Sequence, residues 1–108
     1  MAGGWHSVST PIVELAFVGP VIEWRGPPPF YFVVVPEELV GEVRYGAQLA
    51  SYGWGCVPVE AEIDGVVFTT SLFPRDGGYL LPLKLAVRKP LRLAVGDDAQ
   101  VAMRIFAR

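Results

Sequence analysis

Between Ile12 and Val18, apolar Val13, Leu15 and Phe17 alternate with Glu14 and Ala16, the period of a half-buried strand. Gly19-Pro20 interrupts this run, and Val21–Arg25 resumes it after a bend or bulge. Gly26-Pro27-Pro28-Pro29 reads as a rigid connector. Phe30–Val35 is apolar on both faces, as a central strand of a barrel or sandwich is, and Pro36 closes it.

Pro36-Glu37-Glu38 is a helix start, since proline tolerates the first turn and two carboxylates there oppose the helix dipole. Leu39, Val40 and Val43 make its apolar stripe. Gly41 and Gly46 weaken it, which predicts a short helix ending near Tyr45. Ser51–Gly55 reads as a loop.

Asp64-Gly65 is a two-residue hairpin signal, because a type I′ turn needs positive φ at both positions. It pairs Ile63 with Val66, Ala61 with Phe68, Val59 with Thr70 and Val57 with Leu72, one nearly apolar face. Glu62 with Val67, Glu60 with Thr69 and Pro58 with Ser71 form the other. A one-residue slip would mix the faces, so the pattern admits one register.

Pro74–Gly78, with Gly77 and Gly78, reverses the chain into a short strand at Tyr79–Leu81. Pro82 opens a helical turn over Leu83–Lys89 and Pro90 ends it. Gly96-Asp97-Asp98 is a turn. Ala99–Ala107 is a final strand with Val101, Met103 and Ile105 inward. The expected core is Leu15, Phe17, Phe32, Val34, Val59, Ile63, Phe68, Leu72, Leu83, Val87, Val101, Met103 and Ile105. These elements predict a mainly β chain, a barrel of about six or seven strands with two short helices.

At 108 residues the chain holds one domain, read as 11–108 behind a flexible terminus at 1–10. No apolar run is long enough to span a bilayer and no secretory signal opens the chain. A single cysteine, Cys56, precludes an intrachain disulfide and fits a reducing cytoplasm, the expected location. One histidine and one cysteine make a zinc site of nitrogen and sulfur ligands a poor fit, so neither metal nor cofactor is expected.

Net charge is −2 but unevenly placed. Residues 1–74 balance at −6 and residues 75–108 at +4. Such asymmetry marks either a partner surface or two halves that interleave in one barrel and neutralise each other.

IDG at Ile63–Gly65, F-x-x-SLFP at Phe68–Pro74, GGYLLPLK, VRK and VGDD together resemble the bacterial and archaeal family called domain of unknown function 1905. Its entry strand, Pro-terminated strand, Gly-Trp-Gly-like loop and closing Gly-Asp strand are matched by Ile12–Val18, Phe30–Pro36, Gly53-Trp54-Gly55 and Gly96-Asp97. The resemblance covers nearly the whole chain from residue 12. It implies a small double-split β-barrel, related in architecture to AbrB-like and MazE-like transcription-factor domains. Some relatives are fused to domains associated with bacteriocin resistance. The family has no established catalytic residues, so none carry over. Ala99 beside Asp98 departs from the more usual β-branched residue.

Ser71, His6 and Asp97 supply the residue types of a hydrolase triad. No nucleophile elbow surrounds Ser71 and His6 lies in the terminus, so no catalytic residue is expected. Cys56 suits a small buried hydrophobe. Glu60 and Glu62 lie two apart on a polar strand face, where solvated edge charges are commoner than acid–base pairs. Trp54, between glycines, is either a plug at the barrel mouth or an aromatic loop approaching a ligand.

Lys84 and Arg88 stand four apart on one helical face, with Lys89 adjacent. Like charges at that spacing cost about 0.2–0.5 kcal/mol, so an anion is called for: Asp97, Asp98, a partner's carboxylate or a ligand. Lys84, Arg88, Ser71 and Trp54 are thus the candidate ligand or partner surface. Asp64, Gly65, Gly77, Gly78, Gly96 and Asp97 are the structural turns.

Three readings follow. The first is a non-catalytic module binding a small molecule or protein partner, with either a weak homodimer or the N-terminal segment covering Phe106. The second is a nucleic-acid-binding or regulatory domain, which the pI of 5.3 disfavours. The third is an enzyme with a site at the barrel mouth. No membrane association is expected.

Overall fold

The structure, a computed structural model, describes residues 10–26, 29–50 and 56–107. Its strands are β1 (Val13–Trp24), β2 (Phe30–Val34), β3 (Val57–Ile63), β4 (Val66–Arg75), β5 (Gly78–Pro82) and β6 (Asp98–Ile105). Helix α1 (Val40–Ala50) follows a 3₁₀ turn at Glu37–Leu39, and α2 spans Leu85–Leu91. The strands close into an antiparallel barrel in the order β1-β2-β5-β4-β3-β6. Six or seven strands and two short helices are expected from the sequence, and the barrel has six strands with two short helices.

The hairpin register agrees at every pair, from Ile63↔Val66 to Val57↔Leu72. Asp64 and Gly65 have φ of 47° and 82°, the left-handed conformation of a type I′ turn. A second Asp-Gly turn makes the β4–β5 reversal, with Asp76 at φ 51° and Gly77 at 79°. β4 therefore runs on through Phe73 and Pro74 to Arg75, and Gly78 opens β5. The Asp76-Gly77 dipeptide carried that signal, and the expected reversal at Pro74 starts two residues too early.

β1 is continuous through Gly19-Pro20, a correction to the expected interruption. It pairs with β6 from Val13 to Pro20 and with β2 from Val21 to Trp24. Gly19 is required at this change of partner, because a Cβ there would collide with the carbonyl oxygen of Val34. Val21 then holds the turn before β6, accepting from Gly96 N–H at 2.9 Å and donating to the Asp97 carbonyl at 2.8 Å.

Both helices differ in extent from expectation. α1 continues past Tyr45 to Ala50, because Gly46 packs its bare Cα against Val13 and Ile105. Tertiary contact there outweighs propensity. α2 begins after Lys84, its N-cap, and accommodates Pro90 in its last turn; Pro82 belongs to β5. Arg92, left-handed at φ 55°, ends it. β6 stops at Ile105, leaving Phe106 and Ala107 beyond the ladder.

Eleven of the expected core residues are buried, with Ile105 and Leu72 fully enclosed. Val34 and Phe68 are only half-buried. On β2 the inward residue is Val33, not Val34, since a strand apolar on both faces leaves its phase open. Phe32 is buried too, but on the outer side of the barrel.

Candidate functional site

The outer faces of the barrel's two sheets differ in chemistry. β1, β6 and β3 present Glu14, Arg104 and Glu60 in one cross-strand row. Arg104 Nε donates to Glu60 Oε1 at 2.7 Å, and Glu62 lies 3.8 Å from its guanidinium. The hydrogen bond to Glu60, with the nearby carboxylates, holds the Arg104 guanidinium above its ordinary pKa against the opposing cost of burial. Glu60 and Glu62 are not edge charges, since β3 sits between β4 and β6; both stay partly exposed, and a single arginine from the basic C-terminal third pairs with them.

The sheet formed by the end of β1 with β2, β5 and β4 is apolar outside. Cross-strand rows place Ile22 beside Phe32 and Pro82, and Val34 beside Leu80 and Phe73. The twist of a four-stranded sheet raises two diagonal corners toward one side. Here those corners are Trp24 and Arg75, and they fold over the face between them. Trp24 packs edge-on against Phe32 at 5.8 Å and Phe73 at 5.7 Å between ring centres. The Arg75 guanidinium lies 4.1 Å from the centre of the Trp24 ring. Trp24 at 37%, Phe73 at 39% and Phe30 at 58% remain exposed.

Beside this cluster a trough of about 850 Å³ opens between the sheet and α1. Val18, Pro20, Ile22, Val34 and Leu80 make its apolar floor. Glu37, Val40, Gly41 and Arg44 wall it on the helix side, Arg75, Asp76 and Gly77 on the hairpin side. Arg44 reaches across to the Gly77 carbonyl at 3.4 Å, and Arg75 pairs with Asp76 at 3.5 Å. Both guanidinium groups keep most of their donors for an occupant. The sequence signals for this site were Val18, Pro20 and Ile22 on the outer phase of β1, but nothing local placed α1 opposite them.

The residues singled out from sequence are not gathered at this trough. Lys84 is exposed at the start of α2. Arg88 stacks over the Tyr31 ring, 3.8 Å from its centre, with its Nε buried and without a hydrogen-bond partner among the described residues. Neither pairs with Asp97 or Asp98 among the described residues; Asp97 instead accepts from Ala94 N–H at 2.9 Å. Ser71 faces out from β4 onto a shallow groove shared with Ala50, Pro58 and Phe106. Trp54 and His6 lie outside the described residues. Cys56 is half-buried ahead of β3. Among the described residues, no helix is long and apolar enough to cross a membrane.

A family model described as domain of unknown function (DUF1905) matches residues 17–103, and the chain belongs to that family. No curated protein matches the chain.

Proposed function

We propose that this member of the DUF1905 family is a non-catalytic binding module that takes an apolar ligand, or an apolar segment of a partner, in the trough between α1 and the β1–β2–β5–β4 face. One observation carries the reading: a concave, mostly apolar site of ligand size into which a few polar groups, Arg44, Arg75 and Glu37, converge. Val18, on its floor, is left 51% exposed by the described residues. Arg88 is already engaged with Tyr31, which makes α2 the weaker candidate.

The test is uptake of the dye 1-anilinonaphthalene-8-sulfonate by the folded chain. Saturable fluorescence that Val18→Arg abolishes and Val67→Arg leaves alone supports the trough, Val67 being an equally exposed apolar residue on another face. No saturable uptake, or equal loss in both variants, ends the reading.

A second reading rests on α2 itself. Lys84, Lys89 and Arg92 are exposed and form no ion pair among the described residues, a basic surface for a phosphate or carboxylate partner. Retention on duplex DNA that falls steeply with salt and is lost on changing Lys84 and Lys89 to Ala supports it. Salt-independent passage through the column ends it.

A further inference from the structure

The two guanidinium groups of the trough come from opposite walls and meet at the Asp76-Gly77 turn. Arg44, on α1, donates to the Gly77 carbonyl at 3.4 Å, and Arg75, on β4, stands 3.5 Å from the Asp76 carboxylate. The Asp76 side chain is 89% exposed and its distance to Arg75 is long for a charge-assisted hydrogen bond, so it holds Arg75 weakly. Arg44 forms no ion pair among the described residues, and one long contact with a carbonyl leaves most of its donors free. The hairpin end of the trough therefore carries two cations beside one weakly held anion.

The floor is the outer face of a paired sheet. Ladder hydrogen bonds within the sheet already occupy the backbone groups beneath it, so the floor offers an occupant side chains alone. A peptide laid on it would cover its own N–H and C=O groups without giving them partners. A hydrocarbon or aromatic body has no such groups to satisfy.

We propose that the trough binds a free apolar carboxylic acid, its body on the floor and its carboxylate between Arg44 and Arg75 at the Asp76-Gly77 turn. Resting on the trough reading, this narrows the occupant from any apolar group to a small apolar monoanion. Planar guanidinium groups match the geometry of a carboxylate, and two from different elements fix its position. Glu37 lines the same trough, seven positions before Arg44, and opposes an anion. Glu38 and Glu42 are exposed on the same helical segment but do not line the trough. With these acids nearby, the helix supplies no long-range attraction, so recognition rests on direct contact with the two arginines.

A matched pair of dyes tests the assignment. 1-Anilinonaphthalene-8-sulfonate and N-phenyl-1-naphthylamine share one ring system and differ by the sulfonate, which stands in for the carboxylate. Arg44→Gln is expected to weaken the anionic dye about fivefold and to leave the neutral dye within about twofold of wild type. Decanoate is expected to displace the anionic dye from the wild type, and about fivefold less well from Arg44→Gln. Glu37→Gln is expected to bind the anionic dye at least as tightly as wild type. The peptide N-acetyl-Leu-Leu, with a free carboxylate, is expected to compete more weakly than decanoate. Equal loss of both dyes in Arg44→Gln, decanoate bound there as tightly as by wild type, weaker binding in Glu37→Gln, or a peptide that competes as well as decanoate overturns the proposal. If the neutral dye still binds and Val18→Arg abolishes its uptake, the trough reading survives that failure. If neither dye is taken up, both fall.

Discussion

Arg75 covers the ring of Trp24 at 4.1 Å although their strands are separated by β2 and β5. The contact spans the sheet on its outer side and turns Phe32 into a core residue outside the barrel. Arg75 also borders the trough, so it stands between the aromatic cluster and the proposed binding site.

Removing either partner should loosen the cluster to different degrees. Arg75→Ala removes a partly exposed cation–π contact and is expected to cost about 0.5–1 kcal/mol. Trp24→Ala uncovers Phe32 and Phe73 and is expected to cost about 2 kcal/mol, below the roughly 3–5 kcal/mol of a fully buried Trp. Urea denaturation of both variants measures the difference, and equal costs would show that Arg75, not ring burial, holds the cluster.

Two glycines make contrasting predictions. Gly19→Ala drives a methyl group into the Val34 carbonyl, part of a paired strand that cannot yield locally. Its expected cost is about 3 kcal/mol or more. Gly46→Ala meets only the methyl ends of Ile105 and Val13, at 3.0 and 3.2 Å, and gains helix propensity. Its net change is expected to stay within about 1 kcal/mol. The ranking by denaturant midpoint is the check.

Replacing Arg104 with Met leaves Glu14, Glu60 and Glu62 without their shared cation. The expected loss is about 1 kcal/mol at low salt, shrinking in 1 M salt as the carboxylate repulsion is screened. The pH dependence follows from the direction of the shift. Arg104's pKa is raised in the folded state, so its stabilisation is fully present below the ordinary arginine value. That stabilisation is lost only as pH rises through the higher folded value. The wild-type advantage over the variant is therefore expected to persist throughout the neutral and moderately alkaline range, and its disappearance near neutrality would contradict the shift.

Lys84 and Arg88 should separate in their effects. Arg88→Ala loses the stack on Tyr31 and is expected to cost about 0.5–2 kcal/mol. Lys84→Ala is expected to lie within about 0.5 kcal/mol of wild type. Thermal melts of the single variants are sufficient. Equal destabilisation would mean that Lys84 has an internal partner after all.

Local chemistry decided what could be read in advance. The β3–β4 hairpin was legible because Asp64-Gly65 sets the turn and a slip of one residue would expose Ile63, Val59 and Leu72. The alternation of Val13, Leu15 and Phe17, and of Val101, Met103 and Ile105, likewise named the inward faces of β1 and β6. Tertiary structure decided the rest. β2 is apolar on both faces, so only its neighbours could select Val33 as the inward residue. Gly19-Pro20 reads as a break in one dimension; in three it is where β1 exchanges β6 for β2. Trp24 with Arg75, Arg104 with Glu60, and Arg88 with Tyr31 are each far apart in sequence, and no periodicity within a segment encodes such a meeting. Candidate sites are built from those long-range meetings, because closing the barrel and laying α1 against it determine which outward residues share a wall.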